Sequence, residues 1–222
     1  MVRELASAQV WEKVVYFFRH GETDGNITPV FQPLDSPLSP NGRLQAQRLG
    51  VRAERLPLDL LICSTLPRAR ETMHQIASRT GVDCIFSDLF VERTKPAVLN
   101  GKSYDDAEAD ALWDRWENSL YTPGERTEDG ENFDDLIARA HDAFAYLVAR
   151  PEHAIGVVTH GYFFRVMLAH VLFGNHLSGS LLRHFQTHVE MQNTGMSILR
   201  YRVSGPVPGW HLWTYNDHSH VM

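Results

Sequence analysis

Lys13-Val14-Val15-Tyr16-Phe17-Phe18-Arg19-His20-Gly21-Glu22 passes from an unbroken apolar run directly into an arginine, a histidine and a glycine. A short run of β-branched and aromatic side chains without polar alternation predicts a strand buried on both faces, as in a parallel sheet covered by helices. The abrupt change after Phe18 places two chemistry-bearing side chains at the strand's carboxyl end. Two later stretches repeat the plan. Residues 58–63 (LDLLIC) lead into Ser64, with Arg68 four residues on, and residues 154–158 (AIGVV) lead into Thr159-His160-Gly161.

Helical patterns fill the intervals. Pro29, Pro33, Pro37 and Pro40 make residues 28–40 a loop. Ser39-Pro40 reads as an N-cap followed by proline at the first helical position, opening a helix to about residue 56 with Leu44, Leu49 and Val51 as core positions. Residues 64–80 predict a helix stopped by Gly81, and 82–86 a short strand. Residues 131–150 predict an amphipathic helix with Phe133, Leu136, Ile137, Ala140, Phe144 and Leu147 at helical spacing. Residues 162–173 predict an apolar helix, and 195–203 and 210–215 two closing strands. The polar stretch 88–130 carries one helix over about 104–118. This alternation predicts a single α/β domain over residues 1–222, a three-layer α/β/α sandwich with a mostly parallel central sheet, carrying a substrate-facing insertion at about 93–131.

Composition narrows the partners. The chain is 222 residues long, 43% hydrophobic, with a formal net charge of -6. A mildly acidic chain has no general attraction for nucleic acid or anionic membrane, so an anionic ligand must be held by local cations. No stretch is long and apolar enough to span a bilayer, and residues 1–13 lack the apolar segment of a signal peptide. A cytoplasmic protein, monomer or homodimer, is the expectation. Cys63 and Cys84 read as thiols packed among apolar groups rather than a disulfide.

In open α/β sheets, ligands bind at the carboxyl ends of the strands. Arg19, His20, Arg68 and His160 come from three such ends, and helix N-termini beside them add partial positive charge and backbone N–H groups. That set suits a tetrahedral oxyanion: arginine matches phosphate with a planar fork, and histidine acts as nucleophile or charged donor. Arg68 in the first turn of a helix is itself unfavourable unless an anion lies nearby.

These residues resemble the histidine phosphatase superfamily, also called phosphoglycerate mutase-like. Its first motif stands here as Arg19-His20-Gly21-Glu22-Thr23 with Asn26. Leu38-Ser39-Pro40 with Gly42 and Gln45-Ala46 matches its loop before the first helix. Ser64-Thr65-Leu66-Pro67-Arg68-Ala69-Arg70-Glu71-Thr72 matches its arginine motif, Val157-Val158-Thr159-His160-Gly161 its second-histidine motif, and Asn193-Thr194 a pair before a late strand. The similarity reaches from about Lys13 to about Tyr201. It implies that His20 becomes phosphohistidine and that Arg19, Arg68 and a protonated His160 clamp the phosphoryl oxygens, with Asn26, Thr23 and Gly161 assisting. Positive charge from protein side chains serves phosphoryl transfer directly, so no metal and no cofactor is expected.

The pattern departs after the third strand, where the family's general acid stands before two spaced glycines. Here the sequence reads Glu92-Arg93-Thr94-Lys95-Pro96, then Leu99-Asn100-Gly101. Glu92 is the best candidate for general acid/base, with Glu22, Asp88 and Asp105 behind it. Arg93, Lys95 and Lys102 are candidates to meet a second anionic group on the substrate. Trp113 and Trp116 either line a pocket or pack a lid helix, and His170, His176, His184, His188, His211, His218 and His220 lack metal-ligand spacing. The expected activity is hydrolysis of a small phosphomonoester with release of inorganic phosphate. Mutase-type transfer and non-catalytic phospho-ligand binding are the alternatives.

Overall fold

In a computed structural model describing residues 12–24, 31, 33 and 35–221, the three apolar runs become adjacent strands at the centre of one sheet. β1 (Lys13–Arg19), β2 (Leu60–Cys63), β3 (Cys84–Phe86) and β4 (Ala154–Thr159) are mutually parallel. β5 (Met196–Arg202) runs antiparallel to β1, and β6 (Gly209–Asp217) antiparallel to β5. The order β3-β2-β4-β1-β5-β6 puts β1 and β4 side by side, with Phe18 opposite Val158 and Arg19 opposite Thr159. The catalytic candidates that follow these strands therefore emerge together.

The two faces of the sheet carry different cores, as the period of two requires. Val15, Phe17, Ile62 and Val157 pack under α4 (Phe133–Ala149) and α5 (Gly161–Phe173), joined by Trp116 and Leu120 at the end of α3 (Ala107–Ser119) and Leu182 of α6 (Gly179–His188). Tyr16, Phe18, Leu61, Cys63 and Val158 pack under α1 (Pro40–Ala53) and α2 (Pro67–Thr80). This is the expected α/β/α arrangement.

Local signals explain the boundaries. The Ser39 side chain accepts the Gly42 N–H at the start of α1, and Gly81, at φ 67°, ends α2. Asn132 and Asp135 form a reciprocal capping box at the start of α4. The first helix departs from expectation. Leu49 is buried, but Leu44 and Val51 are exposed. They stand about 140° and about 200° round the helix from Leu49, and the inward face is instead Gly42, Ala46, Gly50 and Ala53. Small residues are needed there because α1 and α2 nearly touch: a side-chain carbon on Gly50 would lie 2.5 Å from the Gln75 carbonyl oxygen. Helix α6, absent from the sequence reading, is capped by Ser178 and turns Leu182 and Gln186 inward. Cys63 is buried and Cys84 half-buried, and both are free thiols. No helix among the described residues is long and apolar enough to cross a membrane.

Candidate active site

His20 sits just past the end of β1, buried, with its backbone tied down on several sides. Its N–H donates to Thr159 O, and its carbonyl accepts from Thr194 N–H and from Asn193 Nδ2 at 3.1 Å. Gly21 N–H donates to Thr72 Oγ on α2, and Glu22 N–H to Gln45 Oε1 on α1. The Asn193-Thr194 pair, known from the sequence only as a match, thus holds the main chain of the candidate nucleophile.

The imidazole geometry selects its tautomer. Nδ1 lies 2.6 Å from the Gly21 carbonyl oxygen, which can only accept, so Nδ1 carries the proton and Nε2 presents a lone pair. Arg68 Nε donates to Nε2 at 3.3 Å. Burial, then the charges of Arg68 and Arg19, hold the His20 pKa well below the ordinary histidine value, with the Gly21 carbonyl acting weakly the other way. The result is an oriented imidazole whose Nε2 lone pair faces a guanidinium.

His160, the N-cap of α5, places its ring centroid 5.0 Å from that of His20. Its Nε2 lies 2.7 Å from Ser64 Oγ, which also accepts the Leu66 N–H, so the end of β2 orients the ring. Burial and the charge of Arg68 push its pKa well below the ordinary value. That direction disfavours the protonated form expected from sequence. Among the described residues its Nδ1 has no hydrogen-bond partner, and neither does Arg19 Nε, although both are buried. Buried polar groups are seldom left unpaired, and two orphaned nitrogens beside the candidate nucleophile fit the oxygens of an anion. Arg19 is otherwise anchored to the Met191 carbonyl. Gly161 opens α5 with its α-carbon close to Arg19: a side-chain carbon there would lie 3.1 Å from Arg19 Nε.

Glu92 reaches the same place from the loop after the Asp88–Phe90 turn. Its carboxylate accepts the N–H of Phe163 at 2.9 Å, of Arg93 at 3.0 Å and of Tyr162 at 3.3 Å. The α5 N-terminus therefore supplies two of these three donors, from Tyr162 and Phe163, to Glu92. The charge of Glu92 acts on both Arg19 and Arg68, raising their pKa values against burial. The other carboxylates are engaged elsewhere. Glu22 accepts from Ser39 Oγ and Asn41 Nδ2, Asp88 accepts from Thr65 Oγ1, and Asp105 is exposed.

Three further candidates fall differently. Asn26 lies outside the described residues. Thr23 is fully buried and bridges Leu38, tying the loop to the segment before α1. Arg93 is packed among aromatic rings, its guanidinium carbon 4.1 Å from the Tyr162 centroid and 4.9 Å from that of Trp116, and ion-paired to Glu117 at 2.5 Å. It packs between α3 and α5, and Trp113 and Trp116 of α3 pack edge to face beside it. Lys102 pairs with Asp106 on the outside. Lys95 is the cation of the insertion that turns inward: it is buried, and its Nζ donates to Asn100 Oδ1 at 2.7 Å.

This arrangement carries the features of one family, and the chain matches its model over residues 15–215. The chain belongs to the histidine phosphatase superfamily, branch 1. Within that superfamily it is similar to the probable phosphoglycerate mutase GpmB of Citrobacter koseri, 29% identical and covering 93% of this chain and 94% of the relative. Among solved structures it resembles Bacillus stearothermophilus YhfR, with a TM-score of 0.77, 27% identity, 95% of this chain and 100% of that one covered. It also resembles a mycobacterial glucosyl-3-phosphoglycerate phosphatase in complex with VO3, with a TM-score of 0.70, 25% identity, 92% of this chain and 99% of that one covered. Among the described residues no group of three or more His, Cys, Asp or Glu side chains is arranged to hold a metal ion.

The two buried histidines set a pH dependence for the fold. Their folded pKa values lie below the ordinary 6.5, so the unfolded chain binds more protons in mild acid and stability rises with pH through that region. The melting temperature is expected to fall as pH is lowered from 7.5 towards 5, with a shallower slope in His20→Asn. A melting temperature that is level or rises on acidification would contradict the lowered pKa values.

Proposed function

We propose that the protein hydrolyses small phosphomonoesters bearing a second acidic group, through a phosphohistidine on His20 Nε2. The observation that carries this reading is the His20 tautomer: a lone pair on Nε2, fixed by the Gly21 carbonyl, with Arg68 Nε 3.3 Å away. Nε2 attacks phosphorus in line while Glu92 protonates the departing ester oxygen. Arg19, Arg68 and His160 Nδ1–H take up the charge on the equatorial oxygens. Water, deprotonated by Glu92, then attacks the phosphohistidine and releases inorganic phosphate and free His20.

Lys95 supports the second acidic group. Burial and the charges of Arg68 and Arg93 push its pKa down to about 8. An anion bound between Lys95 and Arg68 relieves that repulsion and restores the ammonium. The relatives' names, a phosphoglycerate mutase and a glucosyl-3-phosphoglycerate phosphatase, both contain a phosphorylated acid.

The test is to follow free phosphate and phosphoglycerate isomers with 3-phosphoglycerate, a neutral alkyl phosphate and an aryl phosphate as substrates. Phosphate release is expected, with Lys95→Met raising KM for the phospho-acid about tenfold or more, the worth of one charge-assisted hydrogen bond, and leaving the neutral esters little changed. For wild type, the advantage of the phospho-acid should fade above pH 8, where Lys95 loses its proton. Isomerisation without net release would overturn hydrolysis in favour of mutase-type transfer. No turnover on any phosphoester would favour a binding protein. An equal effect of Lys95→Met on acidic and neutral esters would remove the second-anion reading.

A further inference from the structure

We infer that Arg139 and Glu131 form a positioning clamp that holds Glu92 for proton transfer; the inference rests on Glu92 acting as the general acid. Both side chains are largely buried, and the charge of Arg139 reaches as far as His160. The Arg139 guanidinium uses every N–H it has. Nε and Nη2 each donate to the Glu131 carboxylate at 2.8 Å, Nη1 donates to Val91 O at 2.8 Å and Leu89 O at 3.4 Å, and Nη2 also donates to Glu92 O at 3.4 Å. Glu131 completes the grip from the other side of Glu92. Its Oε2 accepts Thr94 N–H at 2.8 Å, and its own N–H donates to Thr94 O at 2.8 Å. One ion pair thereby holds the main chain at residues 89, 91, 92 and 94.

The same guanidinium stacks over the Phe163 ring, its carbon 3.6 Å from the centroid. Phe163 N–H is the shortest donor to the Glu92 carboxylate. The clamp therefore grips both the loop that carries Glu92 and the helix end that receives it. A buried ion pair is a poor route to stability, because desolvation offsets most of the attraction. Concentration of its hydrogen bonds on the flanks of a single carboxylate points instead to geometry. Displacement of a catalytic group by about 1 Å is enough to lower a rate about a hundredfold.

A positioning role for a general acid has a signature that a merely structural role lacks. A nitrophenolate leaves without protonation, whereas an alkoxide does not. The experiment measures kcat/KM, which reports formation of the phosphohistidine and not its hydrolysis, on p-nitrophenyl phosphate and on an alkyl phosphate for Arg139→Lys, Glu131→Gln, Glu92→Gln and the double variant Arg139→Lys/Glu92→Gln, with melting temperatures alongside. The expected result is a loss of about tenfold to a hundredfold in kcat/KM for the alkyl ester in each clamp variant, with kcat/KM for p-nitrophenyl phosphate within about threefold of wild type. The double variant should be no slower on the alkyl ester than Glu92→Gln alone, because the clamp acts through that carboxylate. Equal losses on both esters in the clamp variants, or additive losses in the double variant, overturn the inference. If Glu92→Gln itself shows no leaving-group dependence, the assignment of Glu92 as acid fails, whatever the clamp variants do.

Discussion

His20→Ala is expected to lower phosphomonoester turnover on the order of 10^4-fold or more, a loss typical of removing a covalent nucleophile. The variant should fold, because what it removes is a buried polar ring whose pKa is already depressed by burial and by two guanidinium groups. The main-chain bonds from Thr159, Asn193 and Thr194 do not involve the imidazole. Steady-state phosphate release with a matched circular dichroism spectrum checks both parts. Activity surviving in a folded His20→Ala protein would move the nucleophile elsewhere in the pocket, with His160 the next candidate 5.0 Å away between ring centres.

Arg68→Met is expected to cost about 10^3-fold in kcat, the range in which a guanidinium facing a transferring phosphoryl group contributes. Arg68 occupies the first turn of α2, a helix whose N-cap, Leu66, offers no side-chain hydrogen bond. It is buried at 5% exposure, next to Arg19, and burial lowers its pKa before the nearby Glu92 charge partly restores it. The fold therefore carries this cation against its own electrostatics, as sites that trade stability for function do. Consequently the melting temperature of Arg68→Met should remain close to that of wild type while activity collapses. Arg68→Lys should recover only part of the rate, because an ammonium keeps the charge but loses the planar fork. A variant that loses stability and activity in parallel would assign Arg68 to the scaffold.

The parts of this site that were legible in the sequence share one property: each follows a strand buried on both faces. Continuous apolar runs ending in Arg19-His20, Ser64 and His160 announce both the sheet and its carboxyl edge, and pairing of β1 with β4 and β4 with β2 then brings those ends together. Leu44 and Val51 misled because α1 meets α2 through glycine and alanine, so its apolar side chains do not mark its inner face. Helix α6 was missed because it is short and buries only Gly179, Leu182 and Gln186, with Leu181 and Phe185 half-buried. Arg93 read as a loop cation, yet it is the centre of an aromatic cluster assembled from α3 and α5, which no local pattern encodes. Arg139 and Glu131 were hidden for the opposite reason. On an amphipathic helix and its entry, charged residues read as a solvated face, and only the tertiary structure brings them to the Glu92 loop.

The central claim is that the phosphoryl group passes through His20 Nε2. Rapid quenching of wild-type protein with an aryl phosphate, followed by peptide mapping under alkaline conditions, tests it directly. The predicted result is an acid-labile, base-stable phosphoryl adduct on the peptide containing His20, formed before steady-state phosphate release and enriched in Glu92→Gln, which slows its hydrolysis. Turnover in wild type with no adduct on His20 at any time point, or an adduct on another residue, would contradict it.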